Sequence, residues 1–495
     1  LNRIAAMLLF TFLALGAAPG RTAVAAAETP APGADAVSVE SCQHGCANAA
    51  ALGVPTDGAT DAWPRLQGLA SRLASGDTLY LPAGTYRISQ PLRMPSRSRL
   101  IGAGKRQTTL LLDRRSWANF SYSFMVTSRR TDGGMTSGVT VADLTVNGNR
   151  SNVDPEDGTP DGAANAGGGI KAGSSWTVTR VRFTNLNYFK MWVYQVSQVT
   201  VRGCQFDALG GSASLNDNIG GGQSRGVLVE GNLIDASATG KAVDLVRSSN
   251  VVITRNVVNG VPGSSHAINL EGVSGATVSR NIISHAGISV RSESAYQFAA
   301  PVHNPSKVVI RDNVVKDAPG PGISIQYDTS AHGQLPGGGN TVSGNTVSRA
   351  ALAGVAVVGC GPDEVAAGDV LSRNWVVDPF TSGWTRWDTG CGSFDPVGIA
   401  ISAGVGDQVT DNAVRDTRQP ALTYWGISLG AYNGQATLSI AAMSGNTAPG
   451  VRYGLIVVPQ QGALVTMPGG ARATGTATTA PAPAEVARTG TAGAR

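Results

Sequence analysis

Acidic side chains repeated along a chain can act as a pair only if the fold sets the repeats side by side. Four segments of this sequence have that character: Lys241-Ala-Val-Asp-Leu-Val-Arg247, His266-Ala-Ile-Asn-Leu-Glu271, Gly287-Ile-Ser-Val-Arg-Ser-Glu293 and Gly322-Ile-Ser-Ile-Gln-Tyr-Asp328. Each alternates aliphatic and polar residues, the period of a half-buried strand. With Val243/Leu245, Ile268/Leu270, Ile288/Val290 and Ile323/Ile325 turned inward, their neighbours form outward columns. One column reads Trp192, Gly220, Asp244, Asn269, Ser289, Ser324. The next reads Tyr194, Gly222, Val246, Glu271, Arg291, Gln326, and Glu293 and Asp328 follow in a third.

This alignment would make Asp244 and Glu271 diagonal neighbours, with Cβ atoms about 7–8 Å apart. Inverting glycosidases separate acid from base by roughly 6.5–9.5 Å, leaving room for a water. Arg291, about 5 Å from Glu271 on the next strand, would bind a substrate carboxylate or lower the Glu271 pKa. Glu293 and Asp328, as like-charged neighbours, would raise one carboxyl pKa and supply a further acid. The expected catalytic set is therefore Asp244, Glu271, Arg291, Glu293 and Asp328. Trp192 and Tyr194 beside Gly220–Gly222 would form a platform for a sugar ring, with Arg247, His266, Asn269 and Gln326 as further substrate contacts. The bland reading of the same residues is a row of exposed cross-strand ion pairs of small energetic weight.

The elements that must position these residues come from an internal repeat. A short phrase ending in Asn recurs at Asn232, Asn256, Asn281, Asn313, Asn345, Asn374 and Asn412, with spacings of 24, 25, 32, 32, 29 and 38 residues. Short strands repeating at this period predict an all-β, single-stranded parallel β-helix, a solenoid of about ten or more coils. The Asn is expected at a bend, where it tolerates left-handed backbone and bonds neighbouring peptide groups. Residues 61–75 show helical spacing at Leu66, Leu69, Ala70 and Leu73, with Asp61 as N-cap, and predict a helix closing the N-terminal opening.

Composition agrees. The chain has 64 glycines in 495 residues and only 14 % charged residues, against roughly 25 % in ordinary globular proteins. Residues 1–25 read as a secretory signal peptide, 26–50 as a linker carrying Cys42 and Cys46, 51–465 as the β-helix domain, and 466–495 as a disordered Ala/Thr/Pro/Gly-rich tail. A secreted or cell-surface location follows, without membrane insertion. The net charge of +5 is spread thinly, so nucleic acid is not an expected partner, whereas a polysaccharide is, and an acidic one would be attracted. Cys42 and Cys46 are close enough to bridge, Cys360 and Cys391 could pair, and Cys204 reads as a buried thiol. No Cys/His group has zinc spacing, and no cofactor or metal is expected; the acidic run Asp154 to Asp161 could hold calcium but lacks regular ligand spacing.

Gly53-Val-Pro-Thr-Asp-Gly-Ala-Thr-Asp61, Gly76-Asp-Thr-Leu-Tyr-Leu-Pro-Ala-Gly-Thr-Tyr-Arg-Ile-Ser89, Pro91-Leu-Arg-Met-Pro-Ser96 and Leu100-Ile-Gly-Ala-Gly104 together resemble the entry of pectate-lyase-superfamily proteins. The resemblance implies a right-handed β-helix and a polysaccharide-active protein. A narrower resemblance to alginate C5-epimerases runs through Asp143-Leu-Thr-Val-Asn-Gly-Asn-Arg150. The stretch Phe189-Lys-Met-Trp-Val-Tyr-Gln195, where those enzymes carry Asp-Pro-His-Glu, lacks that motif. The leading expectation is a hydrolase. The alternatives are β-elimination of a uronic-acid polymer (or epimerisation), and a non-catalytic glycan-binding or adhesion rod.

Overall fold

The computed structural model describes residues 45–113, 123–149, 167–186, 188–207, 217–235, 240–260, 266–293, 302–327, 336–359, 366–389, 392–430, 437–457, 464–468 and 472–473. Asp328, the Asp154–Asp161 run, Cys42, Cys360 and Cys391 lie outside them. The described chain is an all-β solenoid with one α-helix near its start. Three sheets of parallel strands form its sides, two of them 13-stranded. A short antiparallel strand, Arg472–Ala473, pairs with Leu464–Thr466 at the end.

Why these residues give this fold is plain in one coil. In Val243–Val246 the burial alternates, with Val243 and Leu245 inside and Asp244 and Val246 outside. Met191, Ile219, Val243, Ile268, Ile288 and Ile323 align rung upon rung, and each is at most 1 % exposed. Burying such a side chain stabilises the fold by about 1.5–3 kcal/mol, repeated on every rung.

The Asn residues form an inward hydrogen-bonded ladder. Asn313 Oδ1 accepts from the backbone N of Asn281 at 3.0 Å and from its Nδ2 at 2.9 Å. Asn313 Nδ2 donates in turn to Val278 O at 2.9 Å and to Asn345 Oδ1 at 3.0 Å. The same pattern runs from Asn232 to Asn446. The expectation that Asn itself takes the left-handed conformation is corrected by the backbone. The preceding residue does so (Gly231, Arg255, Arg280, Asp312, Gly344, Arg373, Asp411; φ between 54° and 64°). Asn is required for its amide, which satisfies buried peptide groups that the turn leaves unpaired.

The helix, Trp63–Ala70, is shorter than the periodicity suggested. Asp61 Oδ1 accepts from Trp63 N at 3.0 Å, one position before the structural N-cap Ala62. Leu66 and Ala70 face the core. Gln67 accepts from Arg93 N at 2.9 Å and donates to Arg93 O at 3.2 Å. The helix thereby closes the open edge of the end strand Leu92–Arg93, which would otherwise invite pairing with another chain.

The third sheet positions the candidate site. Its strands are, in order, Leu92–Arg93, Ser123–Thr127, Gly167–Lys171, Met191–Tyr194, Ile219–Gly222, Val243–Val246, His266–Glu271, Gly287–Arg291, Ile323–Tyr327, Val355–Gly359, Val397–Ile401, Trp425–Leu429 and Gly454–Val457. Cys204 is a free, buried thiol, and Cys46 is disulfide-bonded. Among the described residues no helix is long and apolar enough to cross a membrane.

Candidate functional site

Both outward columns form in the expected register. Trp192 pairs with Gly220, Gly220 with Asp244, Asp244 with Asn269, Asn269 with Ser289, and Ser289 with Ser324. Tyr194, Gly222, Val246, Glu271, Arg291 and Gln326 align in the same way. Asp244 and Glu271 therefore lie on one outer face, on neighbouring rungs.

Asn269 joins them. Its Nδ2 donates to Asp244 Oδ1 at 2.9 Å and to Glu271 Oε1 at 2.8 Å. Two bonds to one nitrogen bring these oxygens closer than the roughly 6.5–9.5 Å expected of an inverting pair. Glu271 is nearly enclosed, its side chain 4 % exposed, and Arg291 donates to Oε1 through Nε at 3.2 Å and Nη2 at 2.5 Å. Asp244 Oδ2 is ion-paired with Lys241 Nζ at 2.8 Å.

A third carboxyl belongs to this group and was not among the expected residues. Asp217, two residues before the Ile219–Gly222 strand, accepts from Lys241 N through Oδ1 at 2.7 Å. Its pKa is pushed up to about 7, first by burial and then by the adjacent Asp244 carboxylate, with Lys241 acting against the shift. A carboxyl with this pKa holds its proton to near neutrality and can give it up within a catalytic step. The sequence signal was its offset. Asp217, Lys241 and His266 all stand two positions before the aligned residues Ile219, Val243 and Ile268.

His266 lies at the same edge with its pKa depressed to about 4 by burial and by the Arg291 and Lys241 charges, so it is neutral at neutral pH. Lys190, at the edge one rung below Asn218, is buried, with its pKa lowered to about 8 by burial, and it hydrogen-bonds Asn218.

Glu293 and Arg247 form a separate knot. Arg247 donates to both Glu293 carboxylate oxygens at 2.5 Å, and His303 N donates to Oε1 at 3.0 Å. The Glu293 side chain is fully enclosed. Burial alone would raise its pKa, but the bonds from Arg247 and His303 outweigh it and leave the pKa lowered, opposite to what a general acid needs.

Aromatic rings line the face beside the carboxyls. Trp192 and Tyr194 stack at 5.7 Å and 25°, and Phe189 lies 4.4 Å from Trp192. Tyr188 and Phe124 extend the row at 4.9 and 5.6 Å. The space above Gly220 is taken by Phe189: a Cβ there would stand 2.4 Å from its ring. The glycine thus seats an aromatic ring rather than leaving an open floor. Gln326 lies half-buried at the far end of its column. In the later loop, Trp387 packs on Phe394, whereas Trp384 is 59 % exposed and lines a cavity of about 320 Å³ with Tyr424 and Arg452. Among the described residues no group of His, Cys, Asp and Glu could hold a metal ion.

A family model described as rhamnogalacturonase A/epimerase, pectate lyase-like matches residues 46–324, more than half of the chain. No curated protein sequence matches it. Among solved structures, the catalytic unit of a thermostable alpha-1,3-glucanase from Streptomyces thermodiastaticus is similar, with a TM-score of 0.51 and 16 % identity over 82 % of this chain and 69 % of that one. The mannuronan C-5 epimerase AlgE6 A-module from Azotobacter vinelandii is similar at a TM-score of 0.44 and 16 % identity, over 85 % of this chain and 98 % of that one. At such identity these likenesses concern the fold.

Proposed function

The chain belongs to the rhamnogalacturonase A/epimerase, pectate lyase-like family, and from that premise we propose that it is an exported polysaccharide hydrolase whose proton donor is Asp217. The observation that carries this reading is a carboxyl, Asp217, held by Lys241 N at 2.7 Å against Asp244, itself ion-paired to Lys241; burial and then the Asp244 charge raise its pKa. The glycosidic oxygen reaches the Asp217 carboxyl, whose hydrogen bond to Asp244 leaves no gap between the two. Asp217 passes its proton to that oxygen as the bond to the anomeric carbon breaks. A water attacks that carbon and returns a proton to Asp217, while Asp244 stays hydrogen-bonded to that carboxyl. Glu271, buried against Asn269 and Arg291, fixes Asn269 and hence the Asp244 carboxylate. Trp192 and Tyr194 hold a neighbouring sugar ring through their faces.

Elimination has less support at this centre. It needs a base beside a cation free to neutralise a uronate. Here Lys241 is engaged by Asp244, Arg291 by Glu271, and His266 carries no charge at neutral pH. An adhesion rod would gain nothing from a protonated carboxyl. The test is incubation of the purified protein with a panel of plant, algal and bacterial polysaccharides. New reducing ends without ultraviolet absorbance from unsaturated sugars are the expected outcome. Unsaturated products would establish elimination, and binding without either product would establish the adhesion rod.

A further inference from the structure

The Trp192–Asp244 column continues toward the N-terminal end of the same sheet. Trp192 pairs with Lys171, Lys171 with Thr127, and Thr127 with Arg93. Around these residues lies a cavity of about 350 Å³ whose lining includes Arg93, Arg129, Arg130 and Lys171, with Phe124 at its aromatic side and no acidic residue among the described residues that line it. Of these cations only Arg130 is matched by a described carboxylate, that of Asp132 at 2.5 Å. Arg93 Nε is buried with no hydrogen-bond partner. The Lys171 pKa is lowered by burial and by the neighbouring Arg129. Like charges gathered in a half-enclosed space cost free energy until an opposite charge joins them.

We propose that this cavity is an anion subsite of the groove, taking an acidic sugar unit of the polysaccharide whose cleavage is proposed above. It rests on that reading for the groove but adds the substrate class: a glycan carrying carboxylates or sulfate esters. Lys171 stands three rungs from Asp244 and Arg93 five, about 14 and 24 Å at the spacing of parallel strands. An extended glycan advances by close to one rung per sugar, so the acidic unit sits roughly three to five sugars from the bond that is cut. Phe124, Tyr188, Phe189 and Trp192 form the floor between the two sites. The reaction centre itself has Lys241 and Arg291 paired, so the charge of the polymer is read at a distance from it.

The test is binding of the full chain, by isothermal titration calorimetry, to polygalacturonate, its fully methyl-esterified form, a sulfated galactan and a neutral glucan at low and high salt. The expected result is binding to an acidic polymer that weakens at least tenfold on adding salt, and at least tenfold in the Arg93→Gln/Lys171→Gln variant. The charge-keeping Arg93→Lys/Lys171→Arg variant should stay within a few-fold of wild type. Loss on methyl-esterification assigns the anion as carboxylate, and preference for the sulfated galactan assigns it as sulfate. Equal affinity for neutral and acidic polymers, or no loss in the Gln variant, would overturn the proposal, as would equal loss in both double variants. Salt-sensitive acidic binding without cleavage would refute the hydrolase and leave this subsite standing. Cleavage of a neutral glycan without acidic binding would do the reverse.

Discussion

Asp244→Asn should move the titration of a residue on the preceding rung. Burial first, and then the Asp244 carboxylate, push the Asp217 pKa up to about 7 from an ordinary 3.8. The substitution deletes the like charge but leaves the burial. The midpoint is therefore expected to fall but to remain above 3.8, since burial is the larger cause. Carbon-13 NMR of protein labelled at aspartate carboxyls reads this directly, with Asp217→Asn identifying the resonance. The alkaline limb of the pH–rate profile should be near pH 7. Asp217→Asn should lower kcat by about two to four orders of magnitude, the usual contribution of a positioned general acid. A wild-type Asp217 midpoint near 4, or a midpoint that does not fall in Asp244→Asn, would refute the shared environment of the two carboxyls.

Other consequences can be checked without a substrate. Asn313→Ala removes four ladder hydrogen bonds, including those that satisfy buried backbone, and should cost about 3 kcal/mol, read as a lower urea midpoint. Arg247→Ala strands the enclosed Glu293 carboxylate and should destabilise by about 3–5 kcal/mol, with Arg247→Ala/Glu293→Gln recovering part of the loss. Asp217 and Asp407 are raised to about 7 and about 8, chiefly by burial, so the native state retains protons that the unfolded chain has lost. Their stabilising effect is complete at low pH and disappears as pH rises through those values. The stabilising effect of a neutral, buried His266 is already complete above its unfolded value of 6.5. The urea midpoint should therefore fall between pH 6.5 and 8, and fall less in Asp407→Asn. The Cys204 thiol, pushed up to about 12 by burial, should escape a maleimide in native protein and react after denaturation, as peptide mass spectrometry would show.

The coil register was legible because alternation of period two, anchored by Val243/Leu245, Ile268/Leu270, Ile288/Val290 and Ile323/Ile325, admits one alignment in which all of these residues point inward. That alignment alone sets Asp244, Asn269, Glu271 and Arg291 beside one another. The roles within the group were less legible. Asn269 as the bridge between two carboxylates depends on a rotamer, and the Arg247–Glu293 pair depends on a side chain reaching across neighbouring rungs. Asp217 lies before its strand, outside the alternating pattern, and only its common offset with Lys241 and His266 points to it. The basic cavity is not legible in the sequence, because Arg93, Thr127 and Lys171 are separated by loops of unequal length, which hide their alignment from spacing alone.

Kinetics of the single and double variants of Asp217→Asn and Asp244→Asn measure whether the side chains of neighbouring rungs act as one unit. If they do, the double variant should be about as slow as the worse single variant, since either substitution disables the shared proton transfer. Losses that multiply, or a single variant with full activity, would mean that the two carboxyls work separately and that the groove has its chemistry elsewhere.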